Sequence, residues 1–281
     1  DPVELTSDPE FIKLNGEFNQ AIAEANCSVS DGKPAPDYLE TDPGVIAAKE
    51  NLSAKIISAV AALDVNVFLP QAKMNTVNTT TGQTDIPDFL QCKNVYHPEV
   101  KSQLGMQVVS SMDTDGANVA ASGIMNNSWL TYVSKDSLYI SENSNFWWWG
   151  NPESRVNQTA IHRFSISSTR PIYLATGKVD GHVQSSYNFS DHNGFLRVAT
   201  TQIDVTPASA ETPWQWQRSV KNHLTILADD NIGNLNVVSE IRDLALDESI
   251  RSVRFMGDRG FMVTFRDVDP LFTFDLSDPL K

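Results

Sequence analysis

The chain has 281 residues, which is long enough to bury a sizeable core without a disulfide or a metal to stabilise it. Hydrophobic residues make up 41% and charged residues 20%, a composition that excludes collagen-like, wholly disordered and disulfide-dense chains. Lysine and arginine number 21 against 35 acidic residues, and the net charge of −14 disfavours nucleic acid as a partner. The longest aliphatic stretch, residues 56–63, is too short to span a membrane. The composition indicates an ordinary globular protein and assigns no reaction.

The first part of the chain predicts a helical domain over residues 1–85. Ser7–Glu10 has the pattern of a helix start, with a proline in the first turn and apolar residues at helical spacing after it. Asp42-Pro43 begins a second helix in the same way. The polar run Asn75–Asp85 has no periodicity and predicts a surface loop. We therefore expect a helical insertion or cap that ends in a polar loop.

From about residue 107 the hydrophobic period changes from that of a helix to that of a strand, so residues 86–281 are predicted to form a separate β domain. So many short strands are incompatible with an α/β fold. The predicted strands are residues 107–112, 129–133, 137–141, 160–166, 172–176, 195–201, 223–227, 235–241, 250–255, 261–265 and 271–276.

A repeat underlies these strands. Gly194–Leu196 and Gly260–Met262 are offset by 66 residues, and Leu130 lies another 66 residues before Leu196, so each is predicted to mark the same place in a unit. Each of the first two units contains four predicted strands, which is the blade of a β-propeller. The predicted fold is mainly β: a partial β-propeller of two to three four-stranded antiparallel blades, with an N-terminal α-helical insertion.

Several stretches of this region have the character of one protein family: residues 161–164, 175–181, 194–201, 252–259, 263–266, 269–272 and 275–279. They resemble the corresponding stretches of secreted proteins with a β-propeller domain that is distantly related to WD40 repeats. The resemblance is strongest over residues 86–281. It implies export to the cell envelope, at the cell surface or in the periplasm of bacteria or archaea, and it implies no known reaction.

The chain departs from this family in its extent. Family members continue through more blades, whereas this sequence stops at Lys281, shortly after the third predicted strand of a unit. We therefore expect a fragment of a longer propeller, with the remaining blades among its partners.

The chain has two cysteines, Cys27 and Cys92, and polar residues flank both of them. This setting is unusual for a buried structural thiol, so a Cys27–Cys92 disulfide is one prediction. Two unrelated free thiols are the alternative.

The most unusual local sequence is the aromatic run Phe146–Gly150, which contains Trp147, Trp148 and Trp149. Consecutive tryptophans in a loop predict a ligand-binding platform for a sugar or a contact point for a protein. Packing of the same side chains between blades is the alternative. Trp214 and Trp216 suggest the same two interpretations more weakly.

Asp113 and Asp115 are candidate metal ligands, because the run Asp113–Asn118 resembles the start of a calcium loop. The glutamate that completes such a loop is missing at the expected position. A hairpin turn rich in Asp and Gly explains the same residues. We expect no other cofactor.

No catalytic residue is assigned. The five histidines have no metal-binding spacing, and the nucleophile and phosphate-binding motifs of common enzymes are absent from the sequence. The favoured function is a non-catalytic recognition or scaffold module of an exported envelope protein, which binds a protein or glycan at the cell surface. One alternative is an envelope hydrolase or lyase with His, Asp and Arg residues clustered at the mouth of the complete propeller. Another is glycan binding through exposed tryptophans.

Overall fold

A computed structural model describes residues 7–27, 42–63, 69–70, 72–75, 83–86, 89–99, 105–114, 118–128, 130–143, 157–207, 216–265 and 270–281. The chain divides into two compact units, Asp1–Pro70 and Gln71–Lys281.

The first unit contains two helices, α1 (Pro9–Cys27) and α2 (Pro43–Ala61). Both predicted helices are therefore confirmed. Asp8 caps α1 by accepting hydrogen bonds from the backbone N–H groups of Glu10 and Phe11, and Asp42 caps α2 in the same way. Lys55 links the helices through ion pairs with Asp8 and Glu10. Within the described residues, neither helix is long and apolar enough to cross a membrane.

The second unit is almost entirely β-sheet. Its strands are β1 Lys73–Asn75, β2 Gln83–Asp85, β3 Val95–Tyr96, β4 Gln107–Met112, β5 Val119–Ile124, β6 Leu130–Val133, β7 Ser137–Asn143, β8 Gln158–Ser165, β9 Ile172–Asp180, β10 Phe189–His192, β11 Phe195–Pro207, β12 Trp216–Asp229, β13 Asn234–Leu244, β14 Ser249–Met256, β15 Arg259–Phe265 and β16 Leu271–Asp275.

These strands form successive sheets that follow the chain order. Strands β6 to β9 form one antiparallel group of four, which we call blade A, and β10 to β13 form a second, blade B. Pairing of β9 with β13 joins the two blades into one eight-stranded sheet. Strands β14 to β16 form blade C, and β3, β5 and β4 form another three-stranded sheet. The predicted fold class, a mainly β propeller-like fold with four-stranded antiparallel blades and N-terminal helices, is confirmed.

Each predicted strand overlaps an observed strand, but β1, β3, β5 and β10 were not predicted, and two other expectations need correction. The equal spacing does not mark one place in each unit, because Leu130 begins the first strand of blade A whereas Leu196 and Met262 lie in the second strands of blades B and C. The hairpins of the blades are offset by unequal numbers of residues. The predicted loop Asn75–Asp85 is also partly wrong, since Gln83–Asp85 pairs with β1.

Apolar side chains fill the spaces between successive sheets. One cluster lies between blades A and B, with Ile161 and Leu227 fully buried within it. A second, which includes Leu224 and Met262, joins blades B and C. A third surrounds Phe164 and connects blade A to the sheet of β3, β4 and β5. Burial of these faces against one another is the main stabilising contribution to the unit.

A glycine allows blades A and B to join directly. Strands β9 and β13 pair in parallel over two residues, with Leu235 opposite Gly177. A Cβ at residue 177 would lie 2.4 Å from the carbonyl oxygen of Leu235, so the backbones approach too closely for any side chain. Gly123 occupies a similar place, because β5 pairs in parallel with β3 at that residue.

The substitution Gly177→Ala tests this junction. We expect it to lower the free energy of unfolding by about 2–3 kcal/mol, because the new methyl group must displace backbone rather than a flexible side chain. Chemical denaturation measures the change. The control is Gly257→Asn, since nothing lies within 4 Å of a Cβ there and asparagine tolerates its φ of 55°. Equal stability of the two variants would contradict the role given to Gly177.

Candidate binding cleft

The first strands of blades A, B and C line a common open cleft with a volume of about 420 Å³. Each of these strands, β6, β10 and β14, lies at the edge of its sheet. The 3-10 turn Ser186–Asn188, which precedes β10, contributes the rest of the wall. A cleft of this size is in the range of ligand-binding pockets. The residues that line it are Thr131, Tyr132, Val133, Ser186, Tyr187, Phe189, Ser190, Arg254 and Phe255.

Aromatic rings form much of the cleft wall and pack against rings of the same chain. Tyr132 stacks against Tyr139 with ring centroids 5.8 Å apart, and against Phe189 with centroids 5.7 Å apart. Tyr187 is 62% exposed, and the guanidinium of Arg254 lies 3.9 Å from its ring centroid. The aromatic part of the wall is therefore largely preorganised by its own stacking.

Arg254 is the charged residue that lines the cleft. Its Nη1 donates a hydrogen bond to the carbonyl oxygen of Val253 at 3.1 Å, and its guanidinium stacks on Tyr187. Among the residues that the structure describes, no carboxylate forms an ion pair with it. The Arg254 side chain is exposed, so its guanidinium is accessible to a ligand, although the chain as a whole carries a net charge of −14.

A second arginine lies behind the cleft wall. Arg197 is buried, and its guanidinium donates hydrogen bonds to the carbonyl oxygen of Gly257 at 2.7 Å and to Oγ of Ser190 at 2.8 Å. Burial lowers the pKa of Arg197, and the nearby carboxylates of Asp258 and Asp191 oppose that shift. Arg197 thus positions the Ser190 hydroxyl, which lines the cleft, and places a positive charge behind the cleft wall.

Two adjacent residues of β10 connect the three blades. The carboxylate of Asp191 accepts hydrogen bonds from the hydroxyls of Tyr139 (2.9 Å) and Ser134 (2.8 Å) in blade A. Burial raises the pKa of Tyr139, and the charge on Asp191 raises it further, so Tyr139 remains a neutral donor. On the other side, Nε2 of His192 lies 3.1 Å from Oδ1 of Asp258 in blade C. These contacts hold the first strands in place around the cleft.

Three other histidines lie away from the cleft. His162 is fully buried, and its Nδ1 lies 2.6 Å from the hydroxyl oxygen of Thr176. Burial lowers the pKa of His162 to about 4, and it also lowers the pKa values of His182 and His223. None of the three lines the cleft.

Most of the residues that the sequence singled out lie outside the part of the chain that the structure describes. Trp147, Trp148, Trp149 and Trp214 are in this group, as are the side chains of Trp216 and Cys27. Cys92 is exposed and its thiol is free in this structure. The disulfide, the tryptophan platform and their alternatives stay predictions.

Of the two candidate calcium ligands, the structure describes one. The carboxylate of Asp113 accepts a hydrogen bond from the side-chain amide of Asn118 at 2.6 Å, which closes the β4–β5 turn, whereas Asp115 is not described. No group of three potential metal ligands occurs among the described residues. Calcium binding stays a prediction, and the Asp113 contact is of the kind that a hairpin turn requires.

The sequence did not identify the cleft. Its lining comes from three segments far apart in the chain, and tyrosine, serine and phenylalanine are ordinary strand residues. A partial signal was present, because Arg254 and Phe255 lie within residues 252–259, one of the stretches with a family resemblance.

Comparison with known proteins agrees with this architecture. A family model described as a beta propeller domain matches residues 40–281, and the chain belongs to that family. An uncharacterized protein of Methanocaldococcus jannaschii is 38% identical over 121 residues, which are 43% of this chain and 17% of that protein. An uncharacterized protein of Archaeoglobus fulgidus is 34% identical over 151 residues, which are 52% of this chain and 21% of that protein. The match spans about a fifth of the length of these relatives.

The buried state of His162 predicts sensitivity to acid. The unfolded chain binds this proton near pH 6.5, whereas the folded chain binds it near pH 4. The contribution of neutral His162 to the free energy of unfolding is therefore fully present above about pH 6.5 and is lost as the pH falls towards 4. His162 contributes about 3 kcal/mol to this loss. Urea denaturation between pH 4 and 7 measures it.

The variant His162→Gln should show a flatter dependence of unfolding free energy on pH, although it is less stable at pH 7. The exposed His97 provides the control, and His97→Gln should follow the wild-type curve. Parallel curves for the wild type and His162→Gln would contradict the lowered pKa of His162 in the folded state.

Proposed function

We propose that this chain is a non-catalytic recognition module of an exported cell-envelope protein, and that it binds its ligand in the cleft between the first strands of blades A, B and C. The observation that carries the proposal is the composition of this cleft. Aromatic rings, hydroxyl groups and one arginine line it. This combination is typical of binding interfaces, where tyrosine and arginine contribute most of the affinity.

The hydrolase or lyase alternative requires a convergent group of His, Asp and Arg residues. The lining residues that the structure describes include Arg254 but no histidine, cysteine or carboxylate to act as a nucleophile or general base. One imidazole–carboxylate pair, His192 and Asp258, joins blades B and C outside that lining. The geometry therefore favours recognition over catalysis.

Export to the envelope rests on the family resemblance, and the module interpretation rests on the extent of the match. The segment that is similar to this chain covers about a fifth of each relative, so it is one part of a longer protein in those cases. A binding module within a longer envelope protein is consistent with both observations.

Site-specific photocrosslinking tests the cleft as the binding site. A photoreactive phenylalanine analogue replaces Tyr187 in the cleft or, as a control of the same 62% exposure, Leu246 after β13. The purified chain is then irradiated with envelope extract of the source cells. We expect a discrete adduct, identified by mass spectrometry, at position 187 and none at position 246.

The same adduct at both positions, or none at either, would show that the cleft is not the binding site. Recovery of the chain in the cytoplasmic fraction of those cells would contradict export. The two parts of the proposal are thus tested separately.

A further inference from the structure

We propose that the cleft recognises an extended acidic peptide, and that a carboxylate of this peptide pairs with Arg254. This inference rests on the proposed binding role of the cleft and names the ligand that its chemistry fits.

The polar groups of the cleft call for a negatively charged ligand. Arg254 has no ion-pair partner among the described residues, and its planar guanidinium suits a carboxylate. The oxygen of the Ser190 hydroxyl already accepts a hydrogen bond from Arg197, so its proton is available to donate. The phenol oxygen of Tyr132 accepts from the backbone N–H of Asp191 and likewise retains its proton as a donor. Since the described lining residues offer these donors and include no carboxylate, they favour a ligand that supplies acceptors and negative charge.

The aromatic residues favour a peptide over a sugar. Sugar recognition by stacking needs an aromatic face that is free in the unbound protein. Tyr132 already stacks on Tyr139 and Phe189, and Arg254 covers a face of Tyr187. The guanidinium of Arg197 lies 5.2 Å from the ring centroid of Phe255. Phe189 is buried, and Tyr132 and Phe255 are half-buried, so these three rings provide apolar walls for side chains. Tyr187 is left as a single ring with one open face, which is a small platform for a pyranose ring.

The backbone of the cleft also suits a peptide. Strands β6, β10 and β14 are all edge strands of their sheets, and an edge strand presents N–H and C=O groups that an extended chain can pair with. In this arrangement, main-chain pairing supplies sequence-independent affinity. Arg254 then selects for an acidic residue.

Two pools of fluorescein-labelled random octapeptides test the inference, one with glutamate fixed at a central position and the other with glutamine there. Binding to the purified chain is measured by fluorescence anisotropy at low and high salt. We expect the glutamate pool to bind about tenfold more tightly, because the glutamine pool lacks the charge-assisted bond, and we expect salt to reduce this preference.

Arg254→Gln should abolish the preference for glutamate. The matched control is Arg251→Gln, since Arg251 lies on the same strand but stacks on Phe265 and does not line the cleft. Thermal unfolding of both variants confirms that they are folded.

Three outcomes would overturn the inference. Equal binding of the two pools would exclude carboxylate recognition. Loss of the preference in both arginine variants would place the site elsewhere on the surface. Binding of a galacturonate oligomer without binding of either peptide pool would show that the ligand is an acidic glycan. In each case a crosslink at residue 187 would still support the cleft as a binding site, so this failure is distinguishable from failure of the proposed function.

Discussion

Face-to-face packing of successive blades is the interaction on which the rest of the structure depends. Strand β11 shows how one element serves two interfaces. Leu196 and Val198 belong to the cluster shared with blade A, whereas Phe195 and Ala199 belong to the cluster shared with blade C. Because side chains alternate between the two faces of a strand, blade B is buried on both sides. A strand in that position must be apolar at almost every residue, which is the pattern of residues 195–199.

The cleft is a consequence of this stacking rather than a property of any single blade. When the sheets pack in chain order, their first strands come together, and each contributes only a few residues to the wall. The space between them is bordered by aromatic rings and by the polar contacts that Asp191 and Arg197 make across the blades. A defect in blade packing would therefore alter the cleft even though the changed residue lies far from it.

Sequence periodicity located the strands that have strong β-forming residues, and it failed where such residues are scarce. Strand β5 consists mainly of Ala, Ser and Gly, and β10 reads Phe-Ser-Asp-His, so neither has the alternation that marks a strand. Hydrogen bonding to neighbouring strands determines the extended conformation of both. The four strands of blade A were predictable because all of them lie in β-rich runs, whereas in blade B the first strand, β10, was missed. The cleft was not, since it exists only after residues 131, 187 and 254 have been brought together by packing between blades.

The adjacent placement of Asp191 and His192 has a consequence for folding accuracy. Their side chains face opposite neighbours: Asp191 meets the hydroxyls of blade A, and His192 meets Asp258 of blade C. A one-residue slip of β10 would exchange these faces and place a carboxylate against Asp258. Repulsion between like charges would then penalise the wrong pairing. These two residues therefore distinguish the correct alignment of a strand only four residues long, whose short hydrophobic pattern specifies its alignment poorly.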